Sequence, residues 1–333
     1  MSKSGIFSTS KLVAAAAAGL LLTVTACSSQ GGAQSAPAAP GAAGGKQYTI
    51  AVITHEGPGE TFFDRIRAGA EQAAKQHGVT LKYSNDPDVG KQSTLIENAI
   101  DSKVDAIAST MPNPDTIGPE LQKAGAAGIP TVAINSGIDS YQKYGAKMFF
   151  GSDESLAGQA AGQRLAKEDG GSSGKVLCVV HSAGVQTLET RCAGVKQSFP
   201  NTENIQVNGQ DLASVQQTLQ SKLLQDPSIT AIVTLDAGVA TAAMQAEQAA
   251  NSKAKLVTFD LNQDVVQAIK DKKIDFSIDQ QPYLQSYEAV DSLWLYLTNG
   301  NVLGGGKPVL TGPAFVDSTN IDAVATYAAN NTR

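Results

Sequence analysis

Several side chains with the chemistry to grip a small molecule fall at or just beyond the ends of short β-branched runs. They are Thr54, His55, Asn135, Arg191, Asp211, Asp236, Asp260 and Gln280, with Phe62 and Phe63 close behind the first of these runs. Carboxylates accept hydrogen bonds, a guanidinium donates them, and amides and hydroxyls do both. A polyol hydroxyl needs that mixture, because each one both donates and accepts. A flat aromatic covers the apolar face of a ring. Other chemistries fit less well. His55, His77 and His181 and the cysteines show no metal-ligand spacing. Gly304-Gly305-Gly306 follows no strand and opens no helix, so it is a loop and not a phosphate cradle. Asp236 and Asp260 form a carboxylate pair of the glycosidase type only on paper, since nothing else points to catalysis. The expectation is a binding protein without cofactor or metal, not an enzyme.

The elements that must position these groups follow from hydrophobic periodicity. Tyr48 to Thr54 reads as a strand and Thr61 to His77 as an amphipathic helix stopped by Gly78. Strands at Val79 to Tyr83, Asp105 to Ser109 and Thr131 to Ile134 alternate with helices at Lys91 to Ser102 and Asp115 to Ala127. The rhythm resumes with helices over 154–168, 186–198, 213–225, 237–250 and 263–271 between strands over 175–180, 204–208, 230–234, 255–259 and 274–278. A long helix from Tyr283 to Thr298 and a short one from Asn320 to Asn330 follow. Alternation of this kind implies parallel sheets covered on both faces. The strands are too many for one sheet. Gly151-Ser152-Asp153 is a natural break, and Gly170 to Gly174 reads as a helix-to-strand loop. Ligands of such sheets bind beyond the carboxyl ends of the strands, where the polar set lies.

The start of the chain reads differently. Lys3 and Lys11 precede an apolar run from Leu12 to Val24 that is short for a membrane span. Val24-Thr25-Ala26-Cys27 then resembles a bacterial lipobox, which implies a lipidated Cys27 at the head of the mature chain. Residues 1–26 are the leader on this reading, and 27–46, built from Gly, Ala, Ser, Pro and Gln, are a flexible tether. The formal charge is −6, and removing the leader takes away two lysines and no acid, leaving −8. Such a balance argues against nucleic acid as a partner. Export makes a disulfide between Cys178 and Cys192 the expected reading, with two buried thiols as the alternative. With no long apolar stripe to spare, a monomer is expected.

From Tyr48 to about Val316 the chain resembles the ribose-binding type of periplasmic sugar-binding protein, the substrate-binding component of ABC importers. The resemblance rests on pieces in order: TFFDRIRAGAEQAAKQHGV, KVDAIASTMPNPD, AGIPTVAIN, GSDESLAGQAAG, RCAGV, LLQDPSITAIVTLDAGVATAA, VTFD and AIKDKKIDFSIDQQPYLQSYEAV. It implies an α/β fold of two doubly wound parallel-sheet lobes joined by a three-crossover hinge. The lobes would be 47–151 plus 281–309 and 152–280 plus 310–333. It makes Phe62, Phe63 and Asn135 ligand contacts of the first lobe, and Arg191, Asp236, Asp260 and Gln280 those of the second lobe or hinge. Thr54, His55 and Asp211 join them, in loops whose lengths differ from those of relatives. Asn135-Ser136 stands where many relatives have Asp-Arg, and Asp236-Ala237 where they have Asn-Asp. With Arg191 set against Asp236 and Asp260, the cleft is expected to be nearly balanced in charge and its ligand to be a small neutral sugar or polyol. The implied partners are an ABC permease and, through the lipid, the outer face of the cell membrane. A receptor that presents a sugar-like signal is the alternative.

Overall fold

The computed structural model describes residues 46–168 and 174–333. The expected leader, Cys27 and nearly all of the tether lie outside the described residues, as does most of the loop at Gly170 to Gly174.

The first lobe begins with β1 (Thr49–Thr54), α1 (Thr61–His77), β2 (Thr80–Asn85), α2 (Val89–Asp101), β3 (Ala106–Thr110), α3 (Pro114–Ala126), β4 (Thr131–Asn135) and β5 (Phe149–Ser152). The second contains α4 (Glu154–Glu168), β6 (Lys175–Val180), α5 (Gln186–Ser198), β7 (Thr202–Gln206), α6 (Leu212–Gln225), β8 (Ile229–Thr234), α7 (Ala237–Ala250), β9 (Lys255–Phe259), α8 (Gln263–Lys270) and β10 (Phe276–Asp279). The chain then returns to the first lobe with α9 (Pro282–Asn299) and β11 (Val309–Gly312), and ends in the second with β12 (Ala314–Asp317) and α10 (Ile321–Ala329).

Each lobe has one six-stranded sheet. The orders are β11-β5-β4-β3-β1-β2 and β12-β10-β9-β8-β6-β7, the same topology twice. β12 pairs antiparallel with β10, and the other described pairs are parallel. The central strands are buried on both faces because helices cover both. β3 and β4 are buried at every residue, which is why they read as continuous apolar runs. The chain passes between lobes at Ser152 to Glu154, Asp279 to Pro282 and Gly312 to Ala314. The expected divisions at 151/152 and 309/310 fall inside β5 and β11, strands too short to announce themselves in the sequence.

Close helix packing sets the geometry near the cleft. At Gly69 of α1 a Cβ would lie 2.1 Å from the Tyr283 carbonyl oxygen of α9, so only glycine allows that approach. Gly158 of α4 does the same for α5, where a Cβ would lie 2.1 Å from the Arg191 carbonyl oxygen. This brings Glu154 and Arg191 together. Cys178 of β6 and Cys192 of α5 are joined by a disulfide with a Cα–Cα distance of 5.8 Å. It fastens α5 to its sheet one residue from Arg191. His77, which precedes the helix-ending Gly78 and reads as a surface residue, is instead stacked on Trp294 at 4.2 Å and bonded to Asp291 at 2.6 Å. The α1–α9 contact buries most of its ring, a consequence of tertiary packing that local sequence does not carry.

Candidate functional site

The carboxyl ends of both sheets face one cavity between the lobes, with an empty volume of about 470 Å³. From the first lobe it is lined by His55, Glu60, Phe62, Phe63 and Asn135. The second lobe contributes His181, one face of the start of α5, Leu235, Asp236 and Asp260, and Gln280 lies at the second crossing.

Two of these residues occupy equivalent positions in the repeated topology. Asn135 ends β4 with φ 64° and Asp260 follows β9 with φ 67°. A left-handed conformation is uncommon outside glycine and is tolerated best by Asn and Asp. Such strain gathers at binding sites. His55 after β1 and His181 after β6 form a second equivalent pair, one from each lobe.

The buried polar groups form a chain across the second lobe. Arg191 donates through Nε to Glu154 Oε2, through one terminal nitrogen to Gln280 Oε1 at 2.6 Å, and through the other to the Leu235 carbonyl at 3.4 Å. Gln280 Nε2 donates to Asp260 Oδ1 at 2.7 Å. The Gln280 carbonyl is in turn held by Thr311 Oγ1 at 2.7 Å and Gln285 Nε2 at 3.1 Å. Arg191 also lies over the Phe259 ring, 4.8 Å from its centroid. Its charge is therefore matched by Glu154 and does not offset Asp236 and Asp260, as the sequence had suggested. The cleft carries an excess of acid, because Glu60 joins those two on its wall. Burial pushes Asp260 up to about 8, with Arg191 pulling it down and Asp236 adding to the rise. Burial also raises Glu60, although the Gly57 N–H holds its carboxylate at 3.0 Å. His55 is pushed down to about 3 by burial, with His181 and Arg191 adding to the fall. Burial lowers His181 as well.

The remaining expected residues divide. Asp236 Oδ1 caps α7 by accepting from Gly238 N at 2.7 Å and Val239 N at 3.0 Å. Its other oxygen is left for the cavity, so capping and contact are compatible. Asp260 does not cap α8, a task that Asn262 performs. Phe62 and Phe63 meet edge to face at 5.2 Å, and both serve the core and the cavity wall. His55 is anchored through Nδ1 to Thr110 Oγ1 at 2.8 Å. Two residues stand away from the cavity. Thr54 is fully buried with its hydroxyl 3.3 Å from the Tyr83 hydroxyl, because its side chain leaves the sheet on the face that carries Val52 and Tyr83. Asp211 caps α6 through Ser214 N at 3.0 Å and is exposed.

Sequence reasoning passed over Glu60, Val185, Thr187 and Leu188, and noted His181 without counting it. Thr187 and Leu188 precede Arg191 by four and three residues, so the helical period alone places them on its face, whereas Val185 is the extended residue before α5 and gives no such signal. Glu60 stands two residues before Phe62 at the start of α1. The lobes also touch directly, since Gln186 N donates to the Pro112 carbonyl at 3.3 Å. The arrangement is that of a closed jaw.

Comparison with known proteins agrees with this geometry. A carbohydrate transporter from Acidothermus cellulolyticus 11B, solved in complex with myo-inositol, is 51% identical, with a TM-score of 0.84, covering 86% of this chain and 100% of that one. A solute-binding protein from Agrobacterium vitis bound to α-D-tagatopyranose is 26% identical with a TM-score of 0.74, covering 85% and 99%. The ribose import binding protein of Bacillus subtilis is 27% identical over 249 residues, 72% of this chain and 78% of that protein. Residues 50–301 match the periplasmic binding protein domain. The chain belongs to that family, and its two lobes have the type I fold of the extracytoplasmic solute-binding components of ABC importers.

Proposed function

We propose that this protein captures a small neutral polyol, of the cyclitol or pyranose kind, between its lobes and delivers it to an ABC importer permease. The observation that carries this reading is the convergence of Phe62, Phe63 and Asn135 from one lobe with Arg191, Asp236, Asp260 and Gln280 from the other on one cavity. Aromatic faces cover the apolar side of a ring. Asp236 accepts from hydroxyls, and Asp260, held near its protonated form, both accepts and donates. An acidic wall with its one arginine already paired disfavours phosphorylated or carboxylated sugars. The myo-inositol held by the relative from Acidothermus cellulolyticus supports a cyclitol as the first compound to try.

Ligand that touches both lobes stabilises the closed jaw by its differential affinity for that state. The permease then reads the closed shape. Members of this family are transport solute-binding proteins and not enzymes, and the cavity walls need supply no reaction step. The lipidated Cys27 anchors the protein to the outer face of the membrane through the 27–46 tether, and the protein acts as a monomer. A calorimetric panel of cyclitols, pentoses, hexoses, alditols and sugar phosphates tests this reading. Saturable binding of at least one neutral polyol, with none of the phosphates, is the expected result. No binding by any neutral polyol would refute it.

A further inference from the structure

The segment after α10 reaches across the back of the cleft. Asn331 adopts a left-handed conformation with φ 55°, and Thr332 N bonds back to the Tyr327 carbonyl at 3.0 Å. This turn directs Arg333 between two buried charged groups that belong to different lobes. Arg333 Nε donates to Asp279 Oδ2 at 2.5 Å, and the Arg333 carbonyl accepts from Arg65 Nε at 2.6 Å. Asp279 is 1% exposed and Arg65 is 3% exposed.

Both partners are coupled to the ligand cavity by the chain itself. Arg65 lies on α1 one turn after Phe62, and its other described bond is to the Thr61 carbonyl at 2.7 Å. Asp279 ends β10 directly before Gln280, and its second carboxylate oxygen accepts from Gln281 N at 2.8 Å in the crossing. Arg333 therefore ties the helix that presents the aromatic wall to the crossing that presents the amide. Among the described residues the Arg65 guanidinium is hydrogen-bonded to the Thr61 and Arg333 carbonyls and forms no ion pair. Separation of the lobes would strip a partner from a buried guanidinium, from a buried carboxylate, or from both, and a buried charge without its partner is strongly disfavoured.

We propose that Arg333 is a positioning residue for ligand capture, bracing α1 of the first lobe against the Asp279–Gln280 crossing and biasing the jaw toward closure. The brace rests on the jaw reading above and extends it to a residue that touches no ligand. It acts on the equilibrium between open and closed forms, so it changes apparent affinity through the fraction of closed protein.

The test compares wild type with Arg333→Ala, Arg333→Lys, Asp279→Asn and the Arg333→Ala, Asp279→Asn double variant in the full chain. Small-angle X-ray scattering of ligand-free protein reports opening, calorimetry with myo-inositol reports affinity, and thermal unfolding reports stability. Arg333→Ala is expected to enlarge the radius of gyration of the free protein and to weaken myo-inositol about tenfold. Arg333→Lys, which keeps a cation for Asp279, is expected to recover most of that loss, and Asp279→Asn to act like Arg333→Ala without adding to it. The proposal is overturned if Arg333→Ala leaves scattering unchanged and affinity within threefold of wild type, even where it lowers the unfolding temperature. Should myo-inositol fail to bind wild type, the cyclitol reading falls separately, and the scattering comparison still decides the brace.

Discussion

Lowering the pH from 8 toward 6.5 should tighten ligand binding, and the rise should then stop. Two groups in the closed cleft titrate in opposite senses. Asp260 has an ordinary value of 3.8 and is pushed up to about 8, chiefly by burial. Closure takes up a proton between those values in proportion to the burial it supplies, so the closed form gains up to about tenfold for each unit that the pH falls below 8. His55 has an ordinary value of 6.5 and is pushed down to about 3, again chiefly by burial. Closure below 6.5 must expel its proton, which costs about tenfold per further unit. From pH 8 to 6.5 Asp260 sets the trend, giving up to about 30-fold, or about 2 kcal/mol. Below 6.5 His55 cancels the trend. His181, lowered by burial, adds to the His55 side, and Glu60, raised by burial, adds to the Asp260 side. Hydroxyls that donate to the Asp260 carboxylate reduce the amplitude. Calorimetry with myo-inositol in buffers of different ionisation heat reads both affinity and proton uptake. Wild type should absorb close to one proton near pH 7, Asp260→Asn should lose the rise, and His55→Asn should extend it to lower pH. An affinity that is flat from pH 8 to 6.5, or a rise that survives Asp260→Asn, would refute the reasoning.

Other perturbations probe the scaffold behind the site. Arg191→Met leaves Glu154 buried without a cation and should destabilise the fold by about 3–5 kcal/mol, measured by denaturant unfolding. Restoring an uncharged partner with Glu154→Gln in the same chain should recover part of that stability but not ligand affinity. Gly158→Ala drives a methyl group into the Arg191 carbonyl and should cost about 1–3 kcal/mol, with weaker ligand binding because α5 is displaced. Reduction of the Cys178–Cys192 bond should lower the unfolding temperature in accord with a loss of about 3 kcal/mol for a loop of this size.

The alternation of runs in the sequence was enough to place the helices and the longer parallel strands, because the central strands are covered on both faces and are rich in apolar residues. α1, α4, α5 and α7 begin and end where their periodicity and flanking residues indicate. β5, β11 and β12 escaped notice because each has four residues and takes its meaning from a partner strand far away in the chain. The site was legible where a residue ends a strand or lies within two residues of its end, as at Asn135, Asp236 and Asp260. It was less so where side-chain direction decides. Thr54 and His55 are adjacent, yet alternation along β1 sends one to the face that carries Val52 and Tyr83 and the other to the cavity. The pairing of Arg191 with Glu154, which alters the charge of the cleft, depends on a glycine-mediated contact between α4 and α5. No local pattern encodes it.

The most direct measurement is a crystal structure of the protein grown with myo-inositol, refined together with a calorimetric stoichiometry. The account predicts one molecule per chain, its ring against Phe62 or Phe63 and its hydroxyls bonded to Asp236 and Asp260 across from Asn135. Ligand held by one lobe alone, or seated away from these residues, would contradict it.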